Sequence, residues 1–307
     1  MKILVTGGAG FIASHIVDAY IQAGHSVTVV DNLSTGRKEN INPKAEFIEM
    51  DITDPKIDEI ISDAKFDIIN HHAAQMNVRV SVEDPVFDAH TNIIGGLRLY
   101  ESAAKNKVKK IIFASSGGTV YGELNYFPAD ENHPLNPISP YGISKLTNEY
   151  YLKYYKEIHN IDFVALRYSN VYGPRQNPFG EAGVVAIFTN KMLNGEQPVI
   201  NGDGTATRDY IYVGDVVEAN LIALGENVSG IFNIGTGIER DVNTVFWTLK
   251  NIIGADVQEF HGPPKPGELQ RNSLSYKKFH QLTGWEPKVS FEEGLRLTVE
   301  FFRKNFH

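Results

Sequence analysis

The sequence of 307 residues predicts an α/β fold, a doubly wound parallel sheet followed by a smaller α/β domain. Up to about residue 170, short apolar runs alternate with stretches of helical periodicity, which is the pattern of βαβ units. Polar residues directly follow several of these runs, where the carboxyl ends of parallel strands share one edge of a sheet. Beyond Asn170, Pro and Gly become frequent and the alternation blurs, which indicates a second domain.

The predicted strands of the first domain are short runs rich in Val, Ile and Phe, which is typical of strands buried on both faces. They are Lys2–Thr6, Ser26–Val30, Glu46–Met50, Asp67–His71, Lys110–Ala114 and Asp162–Arg167.

Helices are predicted between these strands. The first places its apolar residues on one side and stops at Gly24, a residue that commonly ends helices. The predicted helices are Gly10–Ala23, Pro55–Ala64, Asn92–Lys105 and Tyr141–His159.

The chain is expected to return to the first domain late, through a helix at Val216–Leu224 and a strand at Gly230–Ile234. We therefore assign 1–169 and about 209–235 to the first domain. The second domain then comprises 170–208 and 236–307.

Composition excludes several classes of function. The net charge of −8 argues against general nucleic-acid binding, and the absence of cysteine excludes thiolate catalysis and Cys-ligated metal sites. No apolar run is long enough to span a membrane and no signal peptide is evident, so we expect a cytoplasmic protein. The adjacent His71 and His72 should point to opposite faces of a strand, so no metal site is expected.

A glycine-rich loop lies between the first strand and the first helix, as Thr6-Gly7-Gly8-Ala9-Gly10-Phe11-Ile12-Ala13. Gly7 permits a tight turn, and Gly10 lets the backbone approach a pyrophosphate held by the helix N-terminus. An acid, Asp31, closes the second strand and can accept hydrogen bonds from both ribose hydroxyls. Its negative charge would repel a 2′-phosphate, so this Rossmann-type pattern favours NAD over NADP.

Tyr141 and Lys145 lie four residues apart near the start of the long predicted helix, so they share one helical face. A nearby ammonium and a positively charged nicotinamide would favour the tyrosinate and lower the pKa of Tyr141. Such a phenol can take a proton from a sugar hydroxyl while a hydride leaves the same carbon.

Together with His71–Gln75, Ser115–Gly122 and Arg167–Arg175, these motifs occur in one order along the chain. In this combination the chain resembles the extended short-chain dehydrogenase/reductase family, in particular its nucleotide-sugar epimerases. The resemblance covers essentially the whole chain and is more specific for the family than for the sugar. It implies tightly bound NAD, a UDP-sugar substrate and a homodimer with a four-helix interface.

The resemblance also implies roles for individual residues. Tyr141 is the base and Lys145 binds the nicotinamide ribose. The remaining cofactor contacts that it implies are Gly7, Gly10, Phe11, Ile12, Asp31, Asn32, Leu33, Ser34, Thr35, Gly36, Asp51, Ile52, His72, Ala73, Ala74, Gln75, Asn92, Ser115 and Tyr168. The substrate contacts are Met76, Thr119, Asn170, Val184, Arg208, Glu268 and Arg271. Two arginines that converge on a diphosphate would each bind it in a bidentate manner. For Asp51, a role at the start of the following helix is the alternative.

The sequence departs from the family at one catalytic position. The family has Ser or Thr four residues before the tyrosine of its VYG segment, whereas here Gly117 precedes Tyr121. Ser116 and Thr119 are the two candidates for the catalytic hydroxyl. The dehydratases of the family carry an acid pair where this chain has Gly118-Thr119, which argues against dehydration.

The expected reaction is NAD-dependent 4-epimerisation of a UDP-hexose, UDP-glucose or UDP-galactose, through a transient 4-keto intermediate. UDP-glucuronate or a UDP-N-acetylhexosamine is the alternative substrate. A dinucleotide sensor without catalysis is the alternative from another class, although a sensor needs neither Tyr141 nor Lys145.

Overall fold

The computed structural model describes residues 1–179, 183–264 and 269–305, and they divide into two compact units. The first unit contains 1–122, 134–168 and 217–232, and the second contains 123–133, 169–216 and 233–307. The segment 123–133, which the sequence analysis placed in the first domain, clusters with the second unit. Ala129 forms a parallel bridge to Leu274, and its N–H donates to the Ser273 carbonyl at 2.9 Å.

A seven-stranded parallel sheet confirms the predicted α/β class and the doubly wound topology. Its strands are β1 (Lys2–Thr6), β2 (Ser26–Asp31), β3 (Glu46–Glu49), β4 (Ile68–His71), β5 (Lys110–Ser116), β6 (Asp162–Tyr168) and β10 (Gly230–Ile234). They lie in the order β10-β6-β5-β4-β1-β2-β3. Strand order reverses beside β1, and ligands bind at such a switch point. The apolar strands are buried on both faces as predicted: the successive residues Ile3 and Leu4 on β1, whose side chains point to opposite faces, are both fully buried.

The helices that flank this sheet are α1 (Phe11–Gln22), α2 (Ile57–Ala64), α3 (Val78–Glu83), α4 (Pro85–Ala89), α5 (Gly95–Lys105) and α6 (Pro140–His159). The predicted helix over Asn92–Lys105 starts later than expected. Its first residues belong instead to a π-helical turn, His90–Ile94, that joins α4 to α5. Wide turns of this kind are common at functional sites.

The second unit is a smaller α/β body. Its strands are β7 (Asn170–Tyr172), β8 (Ile200–Asn201), β9 (Thr207–Tyr212), β11 (Glu239–Asp241) and β12 (His261–Gly262), and its helices are α7 (Val184–Leu193), α9 (Val242–Ile253), α10 (Lys277–Thr283) and α11 (Phe291–Asn305). A further helix, α8 (Val213–Ala223), begins in this unit and ends in the first. Tyr172, Phe246 and Leu295 are part of the apolar core of the second unit. In the described part of the chain, no helix is both long and apolar enough to cross a membrane.

Candidate active site

The glycine loop is a tight turn at the carboxyl end of β1. Gly7 has φ +73°, and a Cβ there would lie 2.7 Å from the Ala73 nitrogen, so only glycine fits. Gly10 precedes α1, and no side chain caps the first N–H groups of that helix. Uncapped N–H groups and the helix dipole together form a site for a phosphate.

Asp31 ends β2 beside this turn, and its side chain is buried. Its two carboxylate oxygens accept hydrogen bonds from the N–H groups of Ala9 at 3.0 Å and Leu33 at 2.8 Å. Each oxygen keeps a further lone pair for a hydroxyl donor. A Cβ on Gly36 would lie 2.7 Å from the carboxylate, so the loop 32–36 folds closely over Asp31. These features fit the ribose of a dinucleotide.

Asp51 follows β3 and shapes its own turn. One oxygen accepts from the backbone N–H and the hydroxyl of Thr53 at 2.8 and 2.7 Å, and the other from Asn32 at 2.7 Å. Burial disfavours the charged carboxylate, but these hydrogen bonds outweigh it and lower the pKa of Asp51. Asp51 does not cap α2, which begins later at Ile57 with no side-chain cap. Ile52 is buried in the core.

The loop after β4 crosses the end of β1. Thr6 holds it, since the Ala73 N–H donates to the Thr6 hydroxyl at 3.2 Å. His72 stacks on Tyr168, and its Nε2 lies 3.1 Å from the Tyr168 hydroxyl. Burial, then the charge of Lys145, lowers the pKa of His72 to about 3, so this ring is neutral. Met76, further along, is 55% exposed.

Tyr141 and Lys145 share one face of α6, as their spacing predicts. The Lys145 Nζ lies 5.6 Å from the centre of the Tyr141 ring and donates to the Ala114 carbonyl at 2.9 Å. Burial lowers the pKa of Lys145 to about 8. In the protein alone, burial first, and then the charge of Asp88, raises the pKa of Tyr141, and its lowering beside a bound nicotinamide stays a prediction.

The segment after β5 supplies both candidate hydroxyl groups. Ser116 is the last residue of β5, and Thr119 lies in the turn that follows, with its N–H donating to the Ser116 carbonyl at 3.2 Å. The Thr119 hydroxyl is buried and has no partner. A Cβ on Gly142 would lie 2.8 Å from the Thr119 carbonyl, so this turn packs against the start of α6. A buried hydroxyl without a partner costs free energy, which favours Thr119 as the residue that a ligand meets.

A buried ion pair behind this segment escaped the sequence analysis. Arg167 on β6 donates to the two Glu149 oxygens at 2.9 and 2.6 Å and to the Tyr121 hydroxyl at 2.8 Å. Ser115 donates to the same Glu149 carboxylate at 2.6 Å. The pair therefore fixes α6 to β5, β6 and the turn that carries Thr119. Glu149 could have been found from its position four residues after Lys145 on the same helical face.

Tyr168 lies at the end of a second hydrogen-bonded network of buried polar side chains. Asn220 donates to the Tyr168 hydroxyl at 2.8 Å, and its own side-chain oxygen accepts from Asn70 at 3.1 Å. Tyr20 accepts from Asn70 at 2.7 Å. No sequence signal marked Asn70 or Asn220, because neither belongs to a motif with a recognisable spacing.

In the second unit, Arg271 is already paired. Its guanidinium is bidentate on Glu239, at 2.9 and 2.6 Å, and lies 3.8 Å from the centre of the Phe127 ring. The Arg208 Nη1 donates to the Thr207 carbonyl at 2.8 Å. Of the other predicted substrate contacts in this unit, Asn170 is exposed on β7 and Val184 begins α7, while Glu268 lies outside the described residues.

Comparison with known proteins agrees with this geometry. The model of the NAD dependent epimerase/dehydratase family matches residues 3–235. The UDP-glucose 4-epimerase of Mycolicibacterium smegmatis is 44% identical over 310 residues, covering 99% of both chains. The crystal structure of a UDP-glucose 4-epimerase with UDP-glucose from Thermotoga maritima is 51% identical, with a TM-score of 0.98 over 100% of both chains.

A second solved structure, the Thermus thermophilus UDP-glucose 4-epimerase in complex with NAD, is 44% identical with a TM-score of 0.94. It covers 99% of this chain and 100% of its own. The matched segment 3–235 includes the glycine loop, Asp31 and the Tyr141–Lys145 pair. The chain therefore belongs to the NAD dependent epimerase/dehydratase family.

Proposed function

We propose that the protein is an NAD-dependent 4-epimerase that interconverts UDP-glucose and UDP-galactose. The observation that carries the proposal is the arrangement of Tyr141 and Lys145 on α6 against the turn with the buried, unpartnered hydroxyl of Thr119. The names of the relatives described above support the substrate. Gly118 and Thr119 stand where dehydratases of this family carry acids, which favours epimerisation over loss of water.

The proposed cofactor contacts follow β1, β2, β3 and β4. Gly7, Gly10 and the start of α1 would hold the pyrophosphate, while Asp31 and the loop 32–36 would hold the adenosine ribose. Bound NAD would supply the hydride acceptor and donor that inversion of a carbinol carbon requires. The cofactor returns to its starting state in each turnover, so tight binding would cost no activity.

Tyr141 is the proposed base. It takes the proton from the C4 hydroxyl as that carbon is oxidised, and returns a proton as the 4-keto group is reduced on its other face. Thr119 donates a hydrogen bond to the same oxygen, and Ser116 is the alternative donor. The raised pKa of Tyr141 means that the protein alone keeps it protonated at neutral pH. A further positive charge beside the ring, in addition to that of Lys145, is therefore needed before Tyr141 acts as a base.

The proposed diphosphate contacts are Arg208 and Arg271 in the second unit. Because Glu239 already engages one edge of the Arg271 guanidinium, that side chain is held in one orientation before a ligand arrives. Asn170, Val184 and Glu268 are the further proposed contacts with the nucleotide sugar.

We also propose a homodimer built on the α6 face. Its apolar side chains are strongly exposed: Tyr150 by 57%, Tyr154 by 48% and Ile158 by 64%. Monomeric proteins rarely expose a large continuous apolar patch, so a second copy is the natural cover. Size-exclusion chromatography with light scattering should give twice the chain mass for the wild type and the single chain mass for Ile158→Glu.

The test of the activity is an assay of purified protein with UDP-galactose and no added NAD, with UDP-glucose measured by chromatography. Conversion to an equilibrium mixture would support both 4-epimerisation and a retained cofactor. A chain that stays inactive on UDP-galactose and UDP-glucose after NAD is supplied would contradict the proposal.

A further inference from the structure

Asp88 on α4 is a completely buried carboxylate that belongs to none of the sequence motifs. One oxygen accepts from the side-chain amides of Gln75 at 2.9 Å and Asn92 at 3.0 Å. The other accepts from the Ser144 hydroxyl at 2.6 Å. All three donors are neutral. A buried carboxylate that accepts hydrogen bonds only from neutral donors is costly, so its presence calls for a compensating role.

The donors come from three segments that carry the proposed active site. Ser144 lies on α6 between Tyr141 and Lys145. Gln75 lies in the loop after β4, where it also exchanges two hydrogen bonds of 2.9 Å with the Asn92 side chain. The Asn92 carbonyl in the π-helical turn in turn accepts from Asn148 of α6 at 3.0 Å. One carboxylate thus links the loop after β4 to the helix with the base.

The charge of Asp88 also acts on that helix. Burial lowers the pKa of Lys145, and Asp88 is the group that opposes this lowering. Burial is the main cause of the raised pKa of Tyr141, and the charge of this carboxylate is the second cause. His71 and His72 face Lys145 from the β4 side, and burial lowers the pKa of both, so they contribute no charge at neutral pH.

The other titratable groups near this cluster are either neutral or exposed to solvent. Tyr100 of α5 contacts His71, and burial raises its pKa well above the usual value, so it is neutral as well. The ionisable residues of α3 and of its junction with α4 are exposed to solvent; they are Arg79, Glu83 and Asp84.

We propose that Asp88 is a positioning residue: it fixes α6 against the loop after β4 and supplies the buried counter-charge to Lys145, which sets the pH range in which Tyr141 works. The inference rests on the proposed function only for its activity readout. Its stability readout is independent of catalysis and of bound cofactor.

The first test compares the pH dependence of kcat/KM for wild type, Asp88→Asn and Ser144→Ala. Asn keeps the shape and can accept from Gln75 and Asn92, but removes the charge. Without that charge the tyrosinate is favoured, so the acid limb should move to lower pH by about 0.5 to 1 unit. Ser144→Ala keeps the charge and loses one hydrogen bond, so its acid limb should stay in place.

The second test measures thermal unfolding of the cofactor-free chain in a double-mutant cycle with Lys145→Met. Asp88→Asn should lower Tm by several degrees more when Lys145 is present than in the Lys145→Met background. Should Asp88→Asn fail to fold, the double variant decides: recovery of folding supports the counter-charge, and a double variant that stays unfolded rejects it.

Equal Tm losses in both backgrounds, or an acid limb that Asp88→Asn leaves in place, would overturn the inference. A wild-type chain without epimerase activity would refute the proposed function and leave the thermal cycle as the test of Asp88. The two failures are therefore distinguishable.

Discussion

Replacing Glu149 by Gln removes the charge from the buried pair that Arg167 forms behind the Thr119 turn, with little change of shape. Both side chains are only 2% exposed. Burial works against the charged guanidinium, but the hydrogen bonds and charge of Glu149 outweigh it and raise the pKa of Arg167. In the variant the guanidinium loses its counter-charge but stays charged, because arginine does not deprotonate in proteins.

Breaking a buried ion pair from one side typically costs about 3–5 kcal/mol. Gln still offers one oxygen to Arg167, so we expect the lower end, about 3 kcal/mol. For a chain of 307 residues, that corresponds to a Tm lowered by about 5 °C. Because Arg167 also holds the Tyr121 hydroxyl, the turn with Thr119 should loosen, and kcat should fall more than KM rises.

The assay is urea unfolding followed by circular dichroism, with Glu49→Gln as the matched control. Glu49 forms an exposed ion pair, with its carboxylate 3.3 Å from the Lys38 ammonium. The Glu49 side chain is 56% exposed and the Lys38 side chain is 69% exposed. Exposed pairs contribute little, so the control should unfold almost like the wild type. A Glu149→Gln variant that unfolds within about 1 kcal/mol of the control would refute the reasoning.

Three further predictions concern the glycine loop, Lys145 and the proposed diphosphate contacts. Gly7→Ala should destabilise the protein by about 2 kcal/mol or more and abolish NAD binding measured by calorimetry, because the added Cβ would clash with Ala73. The control Gly24→Ala, at φ +84° with open space around it, should lose only about 1 kcal/mol of unfolding free energy and keep NAD binding. Equal losses in the two variants would contradict the predicted clash. In the folded protein the pKa of Lys145 is lowered to about 8, which is below its value in the unfolded chain. Relative to Lys145→Met, the wild type should therefore gain about 3 kcal/mol of unfolding free energy as the pH rises from 8 to 10.5. A difference between the two proteins that stays constant over this pH range would refute the burial argument. Arg208→Gln should raise KM for UDP-galactose about 10-fold or more, with a smaller change in kcat, because a charge-assisted hydrogen bond contributes about 1.5–3 kcal/mol. An unchanged KM would show that Arg208 does not bind the diphosphate.

The regular part of the sheet was predictable because its signals are local. The strand Lys2–Thr6 is observed with the predicted bounds, since an apolar run that ends in glycines leaves few other readings. The short helices α3 and α4 were missed, because one or two turns give no measurable periodicity. The π-helical turn at His90–Ile94 was missed for a different reason: its wide geometry depends on tertiary contacts such as that between Asn92 and Asn148.

The candidate site divides in the same way. Tyr141, Lys145 and the glycine loop carry fixed spacings, so their neighbourhood could be inferred from the sequence. Asp88 and the Arg167 partner of Glu149 become recognisable only once burial and contacts are known. In the protein alone the pKa of Tyr141 is raised, because its burial outweighs the nearby lysine, and the sequence shows the lysine but not the burial.

The most direct test of the account is the conversion of UDP-galactose to UDP-glucose by Tyr141→Phe beside the wild type, at equal content of bound NAD. The wild type should reach an equilibrium mixture without added cofactor, and Tyr141→Phe should lose at least about 100-fold in kcat while keeping its thermal stability, because the ring stays and only the proton-accepting oxygen is lost. Near wild-type conversion by Tyr141→Phe would contradict the assignment of the base and the mechanism built on it.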